Sequence, residues 1–172
     1  LIYQSEGYSL ESLALLVSVF YAASFCLQLP VGLAVDRFGA RIILMTGVVV
    51  LAACTLLYGI FTSYPSLVIL TVIAGAANSV FHPADYSILN ASVKQERLGR
   101  AFSIHNFAGF AGYAVAPVLV AFLGSLWGWK TATITIGAVG LLFVIFVFTL
   151  SSDFLDSSHA RRKQERSSSL AE

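Results

Sequence analysis

Three polar residues, Asn78, His82 and Asp85, follow one another at i, i+4 and i+7 beside a long apolar run. On a helix this spacing sets an amide, an imidazole and a carboxylate on one face. A histidine beside a carboxylate can titrate near neutral pH, which is the chemistry of a proton relay. The same residues also suit a structural network in which His82 and Pro83 end or kink the helix. His105, with Asn106 next to it, is a further polar pair, although a lone histidine in an apolar helix is more often simply hydrogen-bonded. Gln28 is a long amide deep in another apolar run, and Tyr21 and Ser24 share its face. Polar side chains in such a setting are costly unless they meet a cavity or a partner, so each is a candidate for handling substrate or protons.

The elements that must position these residues follow from composition. Hydrophobic residues make up 58% of 172 and charged residues 11%, against about a quarter charged in soluble domains. Mean hydropathy is +0.83. Too little polar surface exists to cover a globule in water, so the chain reads as an all-α, polytopic membrane bundle. A crossing helix needs roughly 20 mostly apolar residues, and five stretches qualify: about 10–35, 42–61, 67–89, 101–123 and 131–150. These runs are too long, and alternate too little, for barrel strands. The purely apolar part of the third, Leu67 to Phe81, is too short to cross the ~30 Å hydrocarbon layer by itself. That span must continue through His82, Pro83 and Asp85. Cys26 and Cys54 lie inside apolar runs without metal-ligand spacing and read as free thiols.

Loop charges orient the bundle. Arg37 and Arg41 follow the first span, Lys94, Arg97 and Arg100 follow the third, and Arg161, Arg162, Lys163 and Arg166 lie in the tail. These nine of the ten basic residues fall on one side if five spans alternate, leaving Lys130 on the other. The basic side is expected to be cytoplasmic, in an inner or plasma membrane. The chain then begins outside with no basic leader, which implies an absent earlier span. Residues 151–172 are Ser-rich and charged, and are expected to form a flexible cytoplasmic segment.

Between the first two spans lies "GLAVDRFGAR", residues 32–41. Gly32 would let the helix end approach a neighbour, and Gly39 would supply the positive φ of a tight reversal. Asp36 is placed to accept from backbone N–H groups or to pair with an arginine, while Arg37 and Arg41 hold the loop in the cytoplasm. On the fourth span, Gly109, Gly112 and Ala116 form a small-residue stripe ahead of Pro117, suited to close helix packing.

The stretch resembles the G-x-x-x-D-R-x-G-x-R pattern between the second and third helices of the major facilitator superfamily (MFS), through Gly32, Asp36, Arg37, Gly39 and Arg41. "LQLPVG" is similar to the end of that family's second helix, "ERLGRAFS" to its loop from helix four to five, and "LWGWK" to its turn from helix five to six. The resemblance implies helices two to six of a truncated six-helix N-terminal domain, with the first helix and a C-terminal half of the same protein missing. It also implies that Asp36 and its arginines act as a conformational latch against that other half. "SVFHPAD" resembles the fourth helix of fosmidomycin-resistance-type exporters. "GYAVAP" is similar to the fifth-helix motif of drug/proton antiporters, but Ala116, Val120 and Ala121 replace its glycines.

The expected function is therefore secondary transport of a small solute, in a form such as proton-coupled efflux. Facilitated uptake of small organic anions and a non-transporting membrane sensor are the alternatives. An enzyme built on His82, Asp85 and His105 finds no HExxH or GxSxG motif to support it, and ATP-driven transport finds no phosphate-binding loop. The expected partners are lipid, a small-molecule substrate and protons. No cofactor, metal or nucleic acid is expected.

Overall fold

The computed structural model describes residues 6–150. The expected tail, 151–172, lies outside the described residues. Helix α1 runs Leu10–Phe38, α2 Ala40–Ile60, α3 Tyr64–Asn78, α4 Phe81–Ser92, α5 Leu98–Trp127 and α6 Trp129–Leu150, with a 3₁₀ turn at Gln95–Arg97. Because α3 and α4 form one continuous span, Tyr64–Ser92, five helices are long and apolar enough to cross a membrane.

Each boundary has a local cause. Ser9 caps α1 by accepting from the Ser12 N–H at 3.2 Å, and Glu11 in the first turn complements the helix dipole. At the other end the helix passes through Asp36 and Arg37 instead of stopping at position 35. Gly39 alone separates α1 from α2, with φ 97° and its N–H bonded to the Val35 carbonyl at 2.9 Å. The ten-residue hairpin expected at 32–41 is thus a one-residue reversal, because a glycine at this φ turns the chain without further loop. Pro65 sits in the first turn of α3, where its missing N–H leaves no bond unmade.

The third span breaks at Ser79–Val80, upstream of His82 and Pro83. Proline removes the N–H that would bond four residues back and crowds that carbonyl. For Pro83 that residue is Ser79. Ser79 and Val80 remain right-handed, with ψ of −17° and −26°, so the span tightens there without reversing.

Backbones approach closely where glycine allows it. A methyl group on Gly75 would strike the Phe20 carbonyl of α1, and one on Gly137 would strike the Leu56 backbone of α2. Gly59 meets the Lys130 carbonyl, bringing α2 against α6 from the other side. Gly32, Gly109 and Gly112 have nothing within 4 Å of a built Cβ, so among the described residues the close packing is not made where the sequence placed it. Pro117 is likewise exposed, inside an unbroken α5.

Two buried clusters hold the spans. Cys54, Leu70 and Ala74 join α2 and α3, with Phe20 of α1 against them. Val35, Ala40 and Ala84 pin the hairpin onto α4. By contrast, α5 presents Phe107, Phe110, Tyr113, Val118 and Phe122 outward, and Gly124 is the one residue it buries. On the face opposite the hairpin, residues 6–9 are tied down. Tyr8 donates to the Thr62 carbonyl, and Glu6 pairs with Lys130 at 2.7 Å.

Replacing Gly75 or Gly137 by alanine should destabilise the bundle by about 1–3 kcal/mol, the usual cost of overpacking. Gly99→Ala, which meets nothing within 4 Å, should be neutral or slightly stabilising. Thermal unfolding of purified protein in detergent checks the contrast.

Candidate functional site

Asp85 lies one turn into α4 and His105 two turns into α5. Their side chains meet, with His105 Nε2 at 3.4 Å from Asp85 Oδ2. An aromatic contact runs alongside: Tyr86 meets Phe102 edge-on at 5.1 Å, and His82 leans on Tyr86 at 5.7 Å. The imidazole–carboxylate contact and the ring pair together join α4 to α5.

The pair opens into a pocket of about 310 Å³. One wall is a face of α2, Arg41, Leu44, Met45 and Val48, whose spacing of i, i+3, i+4 and i+7 is that of a helical stripe. Phe81 and Asp85 come from α4, His105 from α5, and Phe143, Val144 and Val147 from α6. Arg41, Asp85 and His105 are therefore the charged or titratable groups of an otherwise apolar chamber. Arg41 also holds its guanidinium over the Phe148 ring, 5.7 Å from the centroid.

The predicted residues divide among different places. Asn78 does not join His82 and Asp85 in one network, since its Nδ2 donates to Ser24 Oγ of α1 at 3.0 Å. Ser24 is buried and serves as a helix-to-helix contact. His82 is exposed and does not line the pocket, and neither do Gln28 and Asn106. Asp36 and Arg37 are exposed at the end of α1, with Arg37 over the Phe38 ring at 5.3 Å. Arg41 was expected at the latch and as a topology signal, and it also reaches the chamber. Its shared stripe with Leu44, Met45 and Val48 was the available signal. Nothing in the sequence pointed to the bond between Tyr58 and Thr71, 3.0 Å long, that links α2 and α3.

Apolar spans, interhelical polar pairs and glycine-mediated contacts define a multi-pass α-helical membrane protein. It belongs to the Major Facilitator Superfamily, whose family model matches residues 1–171. The chain is 28% identical over 139 residues to the "Probable L-galactonate transporter" of Escherichia coli K12, covering 81% of this chain and 31% of that protein. It is 28% identical over 169 residues to the "Probable sulfoacetate transporter SauU" of Cupriavidus necator, covering 96% and 39%. A "Multidrug resistance protein B homolog" of Mycobacterium tuberculosis is 27% identical over 120 residues, covering 68% and 22%. The chain thus spans between a fifth and two fifths of these relatives' length. The family is one of transporters, not enzymes, and the first two of these relatives are named as transporters.

Within membranes, interhelical hydrogen bonds average about 0.6 kcal/mol and reach about 1.7. The Asn78–Ser24 bond should fall in that range in a double-mutant cycle of Ser24→Ala and Asn78→Leu, read by unfolding in mixed micelles. A coupling energy near zero would make the contact incidental.

Proposed function

We propose that this chain is part of a secondary transporter that moves a small organic anion across the inner or plasma membrane by alternating access. The observation that carries the reading is the pairing of a superfamily match along nearly the whole chain with relatives named for galactonate and sulfoacetate. Both substrates in those names are small, water-soluble acids. Efflux is the second reading, favoured by the multidrug-resistance homologue.

The α1–α2 hairpin suits the latch role. Gly39 holds two helix ends together while Asp36 and Arg37 stay exposed on the last turn of α1. Nine of the ten basic residues favour a cytoplasmic position for that end. A latch of this kind acts by differential stability: a charged contact made in one state and broken in the other shifts the balance by its own free energy. The remaining length of the transporter would supply the second half, and this fragment's α5 face would meet protein or lipid.

The test is uptake by the full-length gene product reconstituted in proteoliposomes. Labelled galactonate or sulfoacetate should enter, each competing with the other. Asp36→Asn should slow entry about tenfold, since losing a charge-assisted hydrogen bond of about 1.5–3 kcal/mol is worth at least that factor. Extrusion of a lipophilic cationic dye without movement of either acid would favour efflux and sink the organic-anion reading.

A further inference from the structure

We infer that the turn between α4 and α5 is a binding site for an anionic phospholipid, with Lys94, Arg97 and Arg100 on its headgroup and the Ile104 and Phe107 face of α5 along an acyl chain. The site concerns how the protein sits in the bilayer and does not depend on the transport function proposed above.

Charge on this turn is uncompensated. Lys130 pairs with Glu6, and Arg37 and Arg41 lie over the rings of Phe38 and Phe148. Lys94, Arg97 and Arg100 have no carboxylate at ion-pair distance and no ring beneath them among the described residues, and all three are exposed. Glu96 lies within the turn, exposed, and pairs with none of them.

Local structure gathers these cations. The Arg97 N–H bonds the Lys94 carbonyl at 2.9 Å, which closes the 3₁₀ turn, and α5 begins at the next residue. Arg97 and Arg100 then follow at a spacing of one helical turn. Like charges about a turn apart repel, so the cluster costs the bundle stability that a bound anion restores.

The same face continues down the helix as apolar surface. Arg100, Ile104 and Phe107 stand at i, i+4 and i+7, and Ile104 is 60% and Phe107 75% exposed. The residues between them turn to the bundle: Phe102 meets Tyr86 edge-on, and His105 meets Asp85. Helix α4 thus takes one side of α5 and leaves the cations and the apolar stripe on another.

Depth follows from chain length. Five residues separate Ser92 at the end of α4 from Leu98 at the start of α5, so the turn stays close to the two spans that it joins. The cations therefore lie where α5 enters the hydrocarbon, at the level of the phosphates. From Leu98 to Phe107 the helix descends about 14 Å, which is acyl-chain depth. Basic side chains immediately beside a span attract anionic headgroups, and a guanidinium fork matches phosphate oxygens. A soluble anion would use the cations and leave the apolar stripe unused. A zwitterionic lipid brings its own ammonium and gains less from three cations.

The experiment uses the full-length transporter with Phe107→Trp, in vesicles of phosphatidylcholine and phosphatidylglycerol. Either lipid carries bromine on its acyl chains, which quenches a tryptophan in contact, and the quenching of the protein without the reporter is subtracted. The two brominated lipids together give the preference for phosphatidylglycerol at position 107. Each basic residue at an anionic surface is worth about fivefold, so the preference should exceed about tenfold at low salt. It should fall toward one near 1 M salt, where the screening length is about 3 Å. Arg97→Gln and Arg100→Gln should each lower it by up to about fivefold. Arg97→Lys should keep it, and Lys130→Gln, at the far end of α5, should leave it unchanged.

A preference near one with all three cations present overturns the site and leaves them as a topology signal. A strong preference that survives both Arg97→Gln and Arg100→Gln places its origin elsewhere and overturns it equally. Quenching by neither lipid means that another part of the transporter covers this face, and the lipid assignment fails. Loss of the preference in inorganic phosphate, but not in chloride of equal ionic strength, assigns the cations to a soluble anion instead.

Discussion

Gly39 separates helices of 29 and 21 residues by a single step at φ 97°, and much of the arrangement on that side of the molecule depends on it. A residue with a side chain would resist this backbone region, and a longer loop would let the helix ends drift apart. The reversal brings Val35 and Ala40 together over Ala84, while Asp36 and Arg37 remain exposed on the last turn of α1. It also starts α2 in the phase that carries Arg41, Leu44, Met45 and Val48 to the chamber. The exposed charges of the hairpin and the half-buried Arg41 at the chamber wall are thus placed by one backbone angle.

Where lipid is the solvent, apolar side chains gain little by leaving it for one another, so helix association depends on close contact and on polar pairing. Both are present. Gly75, Gly59 and Gly137 permit backbone contact between α3 and α1 and between α2 and α6. Ser24–Asn78 and Tyr58–Thr71 provide hydrogen bonds between helices, and each satisfies groups that would be costly alone in hydrocarbon. The outward face of α5, lined with phenylalanine and valine, is ordinary for a surface that meets lipid or another apolar helix.

The polar residues consequently serve two purposes that their types do not distinguish. Asn78 and Ser24 hold helices together. Asp85 and His105 also bridge two helices, but they do so with titratable groups at the wall of a cavity, opposite a permanent cation. A hydrogen bond between an amide and a hydroxyl keeps one form across the physiological pH range. The imidazole and carboxylate instead belong to side chains that can carry charge, so this joint faces the chamber with a different chemistry from the Ser24–Asn78 bond.

The all-α membrane fold and the family were legible in the sequence because their signals are local. Twenty apolar residues in a row must span or be buried, and Gly39 two residues before Arg41 marks a reversal wherever the chain goes. The same locality explains what was not legible. Helical spacing put Asn78, His82 and Asp85 on one face, but each takes its neighbours from elsewhere: Ser24 lies 54 residues before Asn78, and His105 twenty after Asp85. Small-residue spacing pointed to Gly109 and Gly112, whereas the close contacts fell at Gly75 and Gly137, where another backbone happens to arrive. The residue pattern thus determined which segments are helices, where they turn and which side chains could carry charge into the membrane. Tertiary packing decided which of those side chains meet, because partner choice depends on the relative position and rotation of whole helices, and no stretch of one helix encodes the distance to the next.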